Sequence, residues 1–176
     1  MKILLHICCG VCAAGVARTL TEEGHQVIGF FYNPNIHPEE EYHKRLDAAR
    51  RAAQELAIPL VVACYDPDRW LKETEYLEHE PEGGDRCSVC FRLRLETTLA
   101  YLKECGADAF STTLTISPHK SAKTVNRIGT EIGGTKFLGR DFKKKEGFTR
   151  AISLARQWGL YQQSYCGCIY SLRQAK

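Results

Sequence analysis

Three apolar runs in the first 64 residues, ILLHI (3–7), HQVIGFFY (25–32) and IPLVVAC (58–64), are separated by segments of helical pattern. Strands alternating with helices at this spacing close into a parallel sheet covered by helices, because each crossover must pass over a sheet face. The first crossover, CGVCAAGVARTLTEEG, places Gly24 just past its end as a stop signal. The second begins at Pro38, suited to a first helical position. Glu39, Glu40 and Glu41 occupy its first turn, where the dipole favours anions. Tyr42, Leu46, Ala49, Ala53 and Leu56 then recur on one face.

Further along, Asp66-Pro67 opens a short helix reaching Leu77, and PEGGD (81–85) forms a loop. A helix over Ser88–Glu104 leads to a fourth strand, ADAFSTTL (107–114). Ser117-Pro118 caps another helix, TKFL (135–138) is a weak fifth strand, and FTRAISLARQWG is a last helix. No repeat, low-complexity segment or linker interrupts the pattern. The expectation is α/β, one Rossmann-like domain over residues 1–176.

The nine cysteines change what such a sheet can be for. No apolar run approaches the length of a membrane span and the start does not resemble a signal peptide, so the chain is expected in the cytoplasm, where thiols stay reduced. Disulfides are therefore not expected, and metal ligation or redox chemistry is. Seven cysteines fall in three groups: Cys8, Cys9 and Cys12; Cys87 and Cys90; Cys166 and Cys168. Each group sits at a break between elements. Cys8–Cys12 follow the first strand, at the carboxyl edge where open α/β sheets gather their ligands. Cys64 and Cys105 stand alone and read as ordinary thiols.

Seven clustered thiols exceed the four that a tetrahedral zinc or one cubane cluster takes. One CxxC alone would serve equally as a redox pair or half a zinc site. Three groups together point to an iron–sulfur cluster with a second metal beside it. Adjacent Cys8 and Cys9 are expected to point apart and to reach two neighbouring centres. Soft thiolates disfavour calcium and magnesium.

Other residues at the same edge can serve a ligand. Asn33, Asn35 and His37 in YNPNIHP can hydrogen-bond one, although Asn and Pro also simply make turns. His119 and Lys120 in SPHK suit a phosphate or a ligand oxygen near a helix start. In GRDFKKK, Asp141 is a candidate oxygen ligand, with Asp85 as rival, and the lysines can hold an RNA backbone. Residues 1–88 carry a net −6 and residues 89–176 a net +9, so the basic second half also fits a polyanionic partner.

HICCGVC, YNPNIHP, EGGDRCSVCFRLRL, TTLTISPHK, GRDFKKKEG and QSYCGCIYS, in this order from Lys2 to Ser171, resemble the QueH-type epoxyqueuosine reductases. The resemblance implies a PP-loop-like (HUP-like) version of the Rossmann-like sheet, with the cysteine loop where a phosphate loop would stand. It implies cobalamin-independent reduction of epoxyqueuosine to queuosine at the tRNA wobble position, the last step of queuosine biosynthesis, with release of water. It also implies a 4Fe–4S cluster and an adjacent iron. Those centres would draw on Cys8, Cys9, Cys12, Cys87, Cys90, Cys166 and Cys168, with Asp141 as oxygen ligand. An external low-potential donor, ferredoxin- or flavodoxin-like, would supply electrons. Lys143, Lys144 and Lys145 would hold the RNA backbone, and Asn33, Asn35 and His119, with Lys120, would lie near the base. Two rivals remain: a zinc-stabilised RNA-binding module without catalysis, and a thiol or sulfur-transfer enzyme on a PP-loop-like scaffold.

Overall fold

The structure is a computed structural model and describes residues 1–174. Four parallel strands, β1 (Lys2–His6), β2 (Gln26–Phe31), β3 (Leu60–Val62) and β4 (Ala109–Thr112), form one sheet in the order β3-β2-β1-β4. β1 is central: Leu4 pairs in register with Ile28 on one side and Phe110 on the other. Ile3, Leu4 and Leu5 are fully buried, as a continuous apolar run between two covered faces must be.

Helices α1 (Gly10–Glu22) and α2 (Glu39–Glu55) follow β1 and β2. After β3 come the short α3 (Pro67–Glu73) and the long α4 (Asp85–Ala100). Past β4 come α5 (Ala122–Gly133), α6 (Gly147–Gln157) and α7 (Ile169–Gln174). α1 packs on α2 and α6, while α4 packs on α5 and against β1 and β4. The chain therefore winds one way from β1 through β2 to β3, then returns to β4 on the other side of β1. That reversal opens a crevice between the carboxyl ends of β1 and β4.

α1 lies close to its neighbours because its inward side is made of small residues. At Gly10 an added Cβ would stand 2.5 Å from the Ala48 carbonyl oxygen of α2. Leu20 and Val16 fill the core below.

Several expected boundaries move, each for a local reason. Pro38 is the N-cap of α2 rather than its first residue, and α3 stops at Glu73, short of Leu77. α4 starts at Asp85 instead of Ser88 because Gly84 caps it, its carbonyl accepting from the Cys87 and Ser88 N–H groups. It also ends at Ala100, before a turn through Gly106. β4 stops at Thr112, whose Oγ1 accepts from Leu114 N and bends the chain into a 3-10 turn, Thr113–Ile116.

The helix expected from Ser117 begins instead after Ser121, whose Oγ accepts from Thr124 N. TKFL is not a strand. Gly134–Lys136 is a 3-10 turn, and only an isolated bridge joins Phe137 to Phe110. α7 lies beyond the last helix expected from sequence.

Candidate metal centre

Three helix N-termini supply the clustered thiols. Cys9 is the N-cap of α1 and Cys12 lies in its first turn; the Cys12 N–H donates to Cys9 Sγ at 3.4 Å. Cys87 and Cys90 occupy the first two turns of α4, with Gly83 N donating to Cys87 Sγ at 3.2 Å. Cys168 directly precedes α7 and accepts from Ser171 N at 3.4 Å. Unpaired N–H groups and the positive end of a helix dipole favour thiolate over thiol. The CxxC spacing thus has a local cause: it places two sulfurs on one side of a helix start.

Cys8, Cys9 and Cys12 are buried, and their Sγ atoms all lie within 4.8 Å of one another. The Cys8 and Cys9 sulfurs are 3.8 Å apart. The expectation that these neighbours point apart does not hold. Cys9 is extended, at φ −170° and ψ 167°, and the helix turns back from it, so both sulfurs lie together with that of Cys12. Two thiolates on one tetrahedral ion would stand roughly 3.8 Å apart, given a bond of about 2.3 Å. Hydrogen bonds from Cys12 and Cys9, with Lys120 and Arg94 nearby, hold the Cys8 thiol well below its usual pKa. Those same contacts, with burial, push Cys12 well above. The three sulfurs converge closely enough for a metal ion to take them as thiolates.

The second set forms around α4. Burial, helped by the nearby Cys166, Cys90 and Cys168, raises Cys87 to about 11. Cys166 joins the sets, lining one cavity with Cys8 and Cys12 and another with Cys87. Two buried arginines hold this region. Arg45, paired with Glu41 at 2.7 Å, donates to the Tyr165 and Cys166 carbonyls. Arg86 donates to the Leu77, Glu78 and Glu80 carbonyls, fixing the loop before α4. The glycine of CGC has its own reason. Gly167 sits at φ +119°, and a Cβ there would be 2.9 Å from Arg45 Nη1.

Above the thiols opens a cavity of about 250 Å³. Cys8, Cys12, Cys166 and Lys120 line its thiol side, Val11, Phe148 and Ile152 its apolar side. Glu82, His119, Gln162 and Tyr165 also border it. Burial works to lower Lys120, but the facing Cys166, Cys8 and Cys12 thiols outweigh it and raise its pKa. The donor set suits a soft metal: converging sulfurs, N–H groups aimed at them, and cations rather than carboxylates behind them.

The expected residues separate into three kinds. The seven cysteines, His119 and Lys120 border this crevice or the thiol sets beside it. Asn35 lines a small recess with Cys8 and Cys166, its Oδ1 buried without a partner. Asn33 is used internally: its Nδ2 donates to Ile7 O and its Oδ1 accepts from Arg94, leaving it no face toward a base. Lys143 also points inward, donating to the Thr115 and Lys120 carbonyls. Asp141 accepts from Lys143 N and lines a separate recess with Lys144, Lys145 and Arg150, which no cysteine borders. Asp85 is exposed. Cys64 is exposed and lines none of these cavities.

Sequence reasoning missed Gln163, which donates to Cys9 Sγ at 3.2 Å, and Arg94. For Arg94 a signal existed: it lies four residues after Cys90, one helical turn along the same face.

Among the described residues, no helix is long and apolar enough to cross a membrane. The U34-tRNA thiolase NcsA of Methanococcus maripaludis, solved with its 4Fe–4S cluster, shares this fold at a TM-score of 0.56. It is 18% identical, and the match covers 97% of this chain and 61% of that one. Curated relatives are nearer. The epoxyqueuosine reductases QueH of Streptococcus pyogenes and Acinetobacter baylyi are 38% and 39% identical, each match covering 98% of this chain and 71% and 81% of theirs. That of Thermotoga maritima is 32% identical, with 99% of this chain and 92% of its own covered. The family model for epoxyqueuosine reductase QueH matches residues 3–174, and the chain belongs to that family.

Proposed function

We propose that this protein reduces epoxyqueuosine at the wobble position of tRNA to queuosine, the final step of queuosine biosynthesis. The clustered Cys8, Cys9 and Cys12 thiols, with Cys166 lining the same cavity as Cys8 and Cys12, support this reading together with the family membership. The conversion takes two electrons and two protons, breaks the epoxide C–O bonds, forms the alkene and releases the oxygen as water. An external one-electron donor of low potential, ferredoxin- or flavodoxin-like, supplies the electrons, and no cobalamin takes part. Cys8, Cys9, Cys12, Cys87, Cys90, Cys166 and Cys168 would hold a 4Fe–4S cluster and an adjacent iron. When bound, these centres supply electron transfer and a Lewis-acidic position for the epoxide oxygen.

The protein's own residues do the rest. Val11, Phe148 and Ile152 exclude water from one side of the cavity and offer an apolar surface to the base. Lys120 places a positive charge beside the thiols, where the departing oxygen gains negative charge. His119, Asn35 and Gln163 bring hydrogen-bonding groups to the same edge. Asp141 would have to leave Lys143 to act as an oxygen ligand. Lys144 and Lys145, exposed beside α6, are free to meet an RNA backbone, and the work is done in the cytoplasm.

The test is anaerobic reconstitution with iron and sulfide, then incubation of an epoxyqueuosine stem-loop with a reductant. Loss of one oxygen mass, dependent on iron, is the expected result. A colourless zinc protein that binds the stem-loop unchanged would return the reading to an RNA-binding module. Sulfur transfer surviving complete iron removal would favour the thiol enzyme.

A further inference from the structure

Three arginines are buried to 2% exposure: Arg45, Arg86 and Arg94. A guanidinium taken from water costs several kcal/mol unless its charge and donors are met. Two of the three are held by backbone carbonyls, although Arg86 Nε stays unpaired. Arg45 has the Glu41 carboxylate and two carbonyls. Arg86 has three carbonyls and stands 4.6 Å over the Tyr170 ring.

Arg94 is different. Its Nη2 donates to Asn33 Oδ1 at 2.5 Å, and its Nε to His6 Nε2 at 3.3 Å. Nη1 lies 3.9 Å from Cys90 Sγ. The first two partners are neutral. Asn33 is an amide, locked in orientation because its Nδ2 donates to Ile7 O. His6 sets its Nε2 against both Arg94 Nε and the Tyr32 carbonyl, the latter at 3.2 Å, and its Nδ1 pairs with Thr112 Oγ1 at 2.9 Å. No carboxylate pairs with Arg94 among the described residues. On its open side, besides Cys90, it lines a small recess with Cys8 and Cys166, which Asn35, Gln163 and the cations Arg45 and Lys120 share. The network from β1 and β2 thus holds a bare positive charge in place and turns it toward the thiols.

We propose that Arg94 is a positioning residue, a fixed counter-charge that the thiolate centre requires to retain iron and that raises its reduction potential. This rests on the metal-centre reading above. The chemistry is general: thiolate-bound iron carries net negative charge, adding an electron increases it, and a nearby buried cation favours both states, the reduced one more.

The test uses the full chain, reconstituted anaerobically with iron and sulfide, as parent, Arg94→Gln, Arg94→Lys and Asn33→Asp. The last variant is close to isosteric and sets a carboxylate against Arg94, at the loss of the bond from Asn33 Nδ2 to Ile7 O, so it perturbs the fold differently and keeps the inference testable if Arg94→Gln does not fold. Arg94→Gln and Asn33→Asp are expected to lose iron to a chelator at least tenfold faster than the parent. Their reduced-to-oxidised ratio at a fixed donor potential should fall at least tenfold, about 59 mV for one electron. Arg94→Lys should recover most of both, and metal-free Arg94→Lys should unfold at no lower denaturant than the metal-free parent. Parental iron retention and potential in Arg94→Gln or Asn33→Asp would overturn the inference. So would a loss of metal-free stability with the potential unmoved, which marks a structural role. A parent that takes up no iron–sulfur centre fails the function reading itself and is told apart by its lack of colour.

Discussion

The thiols of α1 and those of α4 and the C-terminal loop reach one crevice by different routes. Cys8, Cys9 and Cys12 are carried by the core: β1 is buried on both faces and α1 is pressed onto α2 through Gly10. Cys87 and Cys90 stand in the first turns of α4 and Cys166 and Cys168 on the segment before α7, and buried guanidinium groups hold the adjoining loops by their carbonyls. The first set is as rigid as the sheet. The second depends on a few polar clamps, so it should fail separately, and variants can show whether it does.

The largest effect is expected at the clamp. Arg45→Met leaves Glu41 buried without its partner and should cost about 3–5 kcal/mol in denaturant unfolding. Glu41→Gln combined with Arg45→Met should recover much of that, because no buried charge remains. If Arg45→Met leaves stability within error, the clamp account is broken. Gly10→Ala comes next: its Cβ would meet Ala48 backbone, forcing α1 off α2 at a cost of about 1–3 kcal/mol. Since α1 carries the first set, thermal stability and iron content should fall together.

Gly167→Ala sharpens the contrast from the other side. The strained φ and the approach to Arg45 should cost about 1–2 kcal/mol, with iron content falling more than stability. A smaller change still is expected from Lys144→Ala with Lys145→Ala. Stability should hold, while the salt dependence of stem-loop binding loses roughly 0.7 in slope per contact removed. An unchanged slope would take that recess off the RNA-binding face. Cys64→Ser, outside both sets, should change stability by no more than about 0.5 kcal/mol and leave iron content unmoved.

Much of this contrast was legible beforehand, and the failures share a cause. Apolar runs located β1, β2 and β4, and the grouping of cysteines located the centre, because both signals are local. Asn33 and Lys143 were read as ligand-facing from their loops, yet each spends its hydrogen bonds on backbone carbonyls from distant segments. TKFL has strand-like residues, but Gly134 at φ +52° turns the chain so that one bridge to Phe110 is all that forms. Cys8 and Cys9 were expected to diverge because successive side chains alternate along a strand. The helix starting at Gly10 ends that alternation, and its turn returns Cys12 to both.

The order of strands, the helix starts bearing thiols and the soft-metal chemistry follow from residue type and spacing, which act over a few neighbours. Which thiols share a cavity, where Asp141 lies and which buried arginine faces a sulfur depend on the crossover that returns β4 beside β1. That crossover brings Thr113 to Cys8 across 105 positions of sequence and sets Arg94 against His6 across 88. Contacts at such separation are decided by burial and by the matching of buried polar groups, and no window of local sequence records them.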